Sequence, residues 1–147
     1  MKQIPSITVY FGTTDHLVSK IIRWAGWSWC SHVAIGDEDV VADLMMDYGS
    51  RFWPLVVYIA RGKGRKQKGY ALGRRYPLDL ARFEDMPKPS WFRVCLRYLT
   101  LGVIGYRGDC VGLVKDALRD LHIEVPARVT TPGALERWMR REGLIRG

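Results

Sequence analysis

The chain has 147 residues, of which 48% are hydrophobic and six are Trp, so it is long enough to bury the core of one domain over residues 1–147. Its net charge of +8 favours anionic partners, and its three cysteines, an odd number, argue against a disulfide scaffold. The first residues do not have the form of a signal peptide, and no uncharged run reaches the length of a transmembrane helix. These features predict a cytoplasmic globular protein.

The first elements predicted along the chain are a strand and a helix. Residues 6–11 alternate apolar and polar side chains, as a half-buried strand does. A residue within 13–15 can cap a helix that Gly26 ends. The predicted inward face of this helix consists of Leu17, Val18, Ile21, Ile22 and Ala25. Three tryptophans of this region favour core or rim packing over a ligand groove: Trp24, Trp27 and Trp29.

Two short apolar runs separated by acidic residues predict a β-hairpin. Strands at 31–35 and 40–44 would be joined by a turn centred on residues 37–38. In this register His32 faces Asp43 on the outer face of the sheet, where a carboxylate can fix the tautomer of an imidazole. The alternative is an exposed pair of little consequence. The opposite face of the hairpin would enter the core with Val33, Ile35, Val40 and Ala42.

The middle of the chain is apolar at first and then strongly basic. Residues 49–60 predict a strand that Pro54 could break, and residues 76–80 predict another. Between them, residues 61–75 are rich in Lys, Arg and Gly and contain no acid, so we expect an exposed loop or hairpin tip. Such a loop is either merely solvated or docks on an anionic partner. Its candidate docking residues are Arg61, Lys63, Arg65, Lys66 and Lys68.

Two further helices are predicted from their caps and apolar spacing. Ser90 can cap a helix over 91–101, and Thr131 can cap a last helix with Pro132 at its first position. The first of these helices should turn inward Phe92, Cys95, Leu96 and Leu99. The last should turn inward Leu135, Trp138 and Met139.

Cys110 begins the segment around which we expect the site to form. Asp109 is a natural N-cap, and an apolar helical stripe follows at Val114, Ala117, Leu118 and Leu121. Cys110 would therefore lie inward on the first turn of a helix, where the helix dipole favours a thiolate. The alternative is that Cys110 is a small buried hydrophobe, as most lone cysteines are.

Several segments resemble the circularly permuted NlpC-like cysteine hydrolases. They are Leu17-Val-Ser-Lys-Ile-Ile-Arg-Trp-Ala-Gly26, Trp29-Cys-Ser-His-Val-Ala-Ile35, Val41-Ala-Asp43 and Tyr106-Arg-Gly-Asp-Cys-Val-Gly-Leu-Val114. The last departs from the Asp-Cys-Ser-Gly-Leu-Val pattern of unpermuted relatives by having Val111 in place of Ser. The resemblance covers nearly the whole chain and is weakest over 56–90. It implies an α+β, papain-like fold with a small antiparallel sheet packed with helices, in which the His strand precedes the Cys helix.

The resemblance also implies a set of site residues. Cys110 corresponds to the nucleophile and His32 to the general base. The third polar role falls on Asp43, with Asp47 as the alternative if the turn is longer. Residues that would line the pocket or support an oxyanion are Tyr106, Asp109 and Ser31.

The function that this resemblance implies is thiol-dependent acyl transfer on an amide or ester. Relatives of this kind include cell-wall peptidases and amidases, deubiquitinase-like peptidases and lipid acyltransferases. The small size, the basic charge and the missing signal peptide would suit a peptidase or amidase of cell-wall peptidoglycan peptides, encoded or carried by a phage. No metal or organic cofactor is required, and a zinc site of His32, Asp43 and Cys110 is disfavoured because no two ligands are closely spaced. The competing hypothesis is a non-enzymatic structural or binding module, such as a virion component, with its basic loop on an anionic partner.

Overall fold

An antiparallel five-stranded sheet packed with helices forms the architecture. The computed structural model describes residues 7–13, 17–45, 49–61, 67–72, 83, 86–100, 102–104, 106 and 108–145. The strands are β1 (Thr8–Gly12), β2 (His32–Gly36), β3 (Val40–Met45), β4 (Gly49–Pro54) and β5 (Gln67–Ala71), in the spatial order β4-β3-β2-β1-β5. The helices are α1 (Leu17–Gly26), α2 (Leu55–Arg61), α3 (Trp91–Leu99), α4 (Cys110–Asp120) and α5 (Pro132–Arg141). The α+β class with a small antiparallel sheet is confirmed.

The main core lies between one face of the sheet and the helices α4 and α5. The strands contribute buried side chains at every second position: Val9, Phe11, Val33, Ile35, Ala42 and Leu44. The helices contribute Leu113, Val114, Ala117, Leu118, Leu135 and Met139. Because α4 packs directly on β2 and β3, its first turn is held near the end of the strand that carries His32. The predicted inward faces of the Cys110 helix and the last helix are confirmed.

The turn of the β2–β3 hairpin is displaced by one residue from the predicted position. The central residues are Glu38 and Asp39, because Asp37 closes the turn: its backbone N donates to Val40 O (3.0 Å). Its carboxylate also accepts from the backbone N of Asp39 (2.8 Å) and of Val40 (2.9 Å). Aspartate often caps its own turn in this way. These hydrogen bonds favour the observed turn over one centred on Asp37 and Glu38.

This displacement moves the register by two residues but leaves the faces unchanged. Ile35 pairs with Ala42 and Gly36 with Val41, so the direct pairing of His32 with Asp43 was wrong. Side chains alternate with a period of two, so every two-residue turn keeps His32 and Asp43 on the same face. The two residues are therefore diagonal neighbours instead of opposed ones.

Two predicted segments between β3 and α3 differ in the structure. The predicted strand 49–60 is a strand only to Pro54, and α2 follows at once. The β-branched residues of α2 favour a strand, but the packing of α2 on β3 and β4 overrides that propensity. Residues 67–71 of the expected loop form β5, paired with β1. The candidate residues Lys63, Arg65 and Lys66, and the predicted strand 76–80, lie outside the described residues.

Helix α1 begins at Leu17 and does not bury the face that the sequence predicted. Of that face, Ile22 is buried, whereas Leu17 and Ile21 are 73% and 42% exposed and Ala25 is also exposed. The side chain of Val18 lies outside what the structure describes.

In the described part of the chain, no helix combines the length and apolarity needed to cross a membrane.

Candidate active site

His32 and Asp43 meet at the end of the sheet. His32 Nε2 contacts Asp43 Oδ1, and the two side chains are 18% and 6% exposed. The predicted contact is thus present, reached by the diagonal arrangement of β2 and β3. The alternative of an exposed pair was wrong: the Asp43 carboxylate is buried, and Tyr58 of α2 lies near it. A buried carboxylate on one ring nitrogen fixes the orientation of the imidazole.

Cys110 lies near the same imidazole. It is the first residue of α4 and is partly exposed, and its thiol is near enough to the His32 ring to contribute to the raised pKa of the imidazole. Because Asp43 occupies Nε2, Nδ1 is the nitrogen available to the sulfur. The thiol of Cys110, the imidazole of His32 and the carboxylate of Asp43 therefore lie in one cluster.

The charges around His32 favour its protonated form. Burial by itself lowers the pKa of an imidazole, but the negative charge and hydrogen bond of Asp43, helped by Cys110, raise the pKa of His32 well above its ordinary value. The positively charged form of His32 is therefore favoured beside the Cys110 thiol.

A buried ion pair fixes the helix end on which Cys110 stands. Asp109 caps α4, accepting from Gly112 N at 2.8 Å. Its carboxylate is also held by the Arg97 guanidinium, with Nη1 donating to Oδ1 at 2.8 Å and Nη2 contacting Oδ2. Arg97 donates further to Tyr106 O (2.9 Å) and Thr130 O (2.7 Å). The same guanidinium therefore ties α3 to the loop before α4 and to the segment before α5.

Arg97 is a site residue that the sequence interpretation missed. Helix α3 was expected to turn Phe92 and Leu99 inward, but they are 73% and 83% exposed, while Val94 and Arg97 are buried. Burial alone would lower the pKa of Arg97, and Asp109 outweighs it, so that the pKa is raised. The ion pair and the two carbonyl partners determine which face of α3 turns inward. The one local indication that Arg97 turns inward was its i, i+3 spacing from Val94, which places both residues on one face of α3.

Tyr106, predicted as a pocket wall or oxyanion helper, is bound to the start of α3. Its hydroxyl oxygen accepts from Ser90 N (2.8 Å), and Arg93 lies over its ring at 5.9 Å from the centroid. A Cβ on Gly108 would lie 2.5 Å from that hydroxyl oxygen, so glycine is required for this close approach. The hydroxyl retains its own proton for donation.

Ser31, the other predicted pocket residue, is buried beside β1. Its backbone N donates to Gly12 O (2.9 Å), and its hydroxyl donates to Thr13 Oγ1 (3.4 Å). These bonds attach the residue before His32 to the end of β1. Ser31 therefore fixes the position of the His32 backbone.

Tyr58 is the second residue that the sequence interpretation missed. It lies on α2, within the segment predicted to be a strand, and its ring meets that of Tyr10 edge-on at 5.3 Å between centroids. Burial, and then the nearby Asp43 carboxylate, raise the pKa of Tyr58 above its ordinary value, although a hydrogen bond with Gln67 opposes them. A neutral phenol thus lies over the His32–Asp43 face of the sheet.

Cys30 and Lys68, which belongs to the basic segment, each have other partners. Burial raises the pKa of the Cys30 thiol to about 11, although a hydrogen bond with Ser28 opposes the effect, so Cys30 stays a thiol at neutral pH. Among residues whose side chains are described, no group of three His, Cys, Asp or Glu could hold a metal ion. Lys68 of the basic segment lies over the Trp29 ring, 5.6 Å from its centroid.

Comparison of the sequence with models of known protein families and with curated proteins finds no match. The geometry of the site therefore carries the functional argument.

Proposed function

We propose that this chain is a cysteine hydrolase that cleaves an amide or ester bond. The observation that carries the proposal is the proximity of Cys110, on the first turn of α4, to an imidazole whose Nε2 contacts Asp43. A structural cysteine needs no such partners, whereas a nucleophile needs both a base and a group that orients the base.

The mechanism follows from the positions of these groups. The Cys110 proton passes to His32 Nδ1, and the sulfur attacks the carbonyl carbon to form a tetrahedral oxyanion. The N–H groups of the first turn of a helix have no intrahelical acceptor, so the backbone N–H of Cys110 is available to the oxyanion. The imidazolium returns its proton to the leaving amine or alcohol, and water then hydrolyses the thioester. Asp43 stabilises the imidazolium throughout.

As the finer assignment, we propose a permuted papain-like fold acting on peptidoglycan peptides. Two features support it: the His strand precedes the Cys helix along the chain, and the net charge of +8 suits an anionic polymer such as the cell wall. The basic segment 61–75 would contribute to that attraction.

The test compares wild type with Cys110→Ala, and with Cys95→Ala as the matched cysteine control. Activated esters and peptidoglycan stem peptides serve as substrates, and mass spectrometry looks for the acyl adduct on the tryptic peptide that contains Cys110. We expect turnover and adduct in wild type and Cys95→Ala only. Equal turnover in Cys110→Ala would refute the enzyme. A folded wild type that yields neither turnover nor adduct, and whose Cys110 is no more reactive than Cys95, favours the binding module instead.

A further inference from the structure

A second surface, whose chemistry differs from that of the Cys110 site, lies on helix α1. Leu17, Ile21 and Trp24 follow one another at i, i+4 and i+7, so they share one face of the helix. They are 73%, 42% and 85% exposed, and Trp27, just beyond the helix, is 92% exposed. A soluble domain rarely leaves a helix with its apolar face outward unless that face has a partner. We call these four residues the α1 surface.

The border of the α1 surface is basic. Exposed Lys20 lies on α1 itself, and Arg137 of α5 donates to the Trp27 carbonyl oxygen (3.0 Å), which brings α5 to the same edge. Further along α5, Arg140 and Arg141 join Arg137 around a depression of about 470 Å³. The acid within α5, Glu136, is turned inward, where it accepts from Trp29 Nε1 (2.9 Å).

We propose that the α1 surface and its basic border dock this protein on an anionic lipid bilayer. Aliphatic and Trp side chains on one face of a helix, with cations at the rim, are the features of a helix that lies in the membrane interface. Trp prefers the depth of the lipid headgroups, where its ring is apolar and its N–H is hydrated. The arginine-lined depression suits lipid phosphates, which accept hydrogen bonds from guanidinium groups.

Charge and shape favour a bilayer over other anionic partners. A single-stranded nucleic acid would stack its bases on the tryptophans, but Leu17 and Ile21 would add nothing to such stacking. A bilayer uses all four apolar side chains at once, and its negative surface attracts the cations at their rim. Docking of this kind needs no spanning helix.

The experiment is sedimentation of the protein with vesicles of phosphatidylcholine, alone or mixed with phosphatidylglycerol. We expect binding to the mixed vesicles, accompanied by a blue shift of Trp fluorescence. Trp24→Ser with Trp27→Ser should abolish most of it. Lys20→Gln with Arg141→Gln should weaken it about fivefold for each cation removed. Phe92→Ser, which removes an exposed aromatic residue of α3, is the matched control and should bind as wild type does.

Several outcomes would overturn the proposal. They are equal binding to both vesicle types, equal loss in Phe92→Ser and Trp24→Ser/Trp27→Ser, or absence of vesicle binding with Trp24-dependent binding of an oligonucleotide. Far-ultraviolet circular dichroism shows that each variant is folded. Cys110→Ala should bind vesicles as wild type does, so that failure of this proposal and failure of the hydrolase are distinguishable.

Discussion

Replacement of Arg97 by methionine tests whether the buried ion pair holds the Cys110 helix in place. The change removes the partner of the Asp109 carboxylate in a site where both side chains are nearly inaccessible, 3% and 5% exposed. It also removes the donors to Tyr106 O and Thr130 O. Leaving one member of a buried pair unpaired typically costs about 3–5 kcal/mol. We expect Arg97→Met to lower the free energy of unfolding by that amount.

The assay is urea unfolding followed by fluorescence, with two comparison variants. Arg119→Met removes an exposed arginine that is 3.4 Å from Glu124 and should cost less than about 1 kcal/mol. Adding Asp109→Asn to Arg97→Met removes the unpaired charge while an Asn cap remains, so it should restore part of the loss. If Arg97→Met costs no more than Arg119→Met, or if the double variant is no more stable than Arg97→Met alone, the reasoning is wrong.

Three further predictions concern the roles proposed for Asp43, His32 and Cys110. Asp43→Asn should reduce turnover about 10²–10⁴-fold, as loss of the orienting charge does in other triads, and Asp47→Asn should have little effect; the reverse order would contradict the assignment. Because the folded pKa of His32 is raised, its protonation stabilises the fold below about pH 6.5, and this contribution is lost as pH rises through the folded pKa. Urea unfolding across pH 6 to 9 should show that decline in wild type and less of it in Asp43→Asn, and identical profiles would contradict it. Iodoacetamide near pH 7 should modify Cys110 long before Cys30, because burial raises the pKa of Cys30 to about 11. His32→Ala should slow the modification of Cys110, and an unchanged rate in that variant would refute the Cys–His pair.

The local features of the fold could be predicted because they depend on residues within a turn of one another. Asp109 caps α4 and Thr131 caps α5, each through its own side chain, at the positions where the sequence predicts them. The shared face of His32 and Asp43 was equally predictable. It requires only a two-residue turn, so a turn displaced by one residue changed the pairing and left the contact intact.

The orientation of helices could not be predicted, because distant residues decide it. The apolar spacing of α3 indicated an inward face with Phe92 and Leu99, yet Arg97 turns inward to partners 12 and 33 residues away in the chain. The same limit applies to the segment 55–61, whose composition favours a strand and whose packing on β3 and β4 makes it a helix. In both cases a long-range contact outweighs a local preference of a few tenths of a kcal/mol per residue.

The sequence by itself determined the capped helix that begins at Cys110 and the sheet face shared by His32 and Asp43. Only the tertiary structure brought the two together. Packing of α4 across β2 places a thiol and an imidazole that are far apart in the chain close enough for the thiol to influence the pKa of the imidazole. Capping and side-chain alternation act between neighbours in sequence, whereas the meeting of two elements depends on how their apolar faces fit within one core.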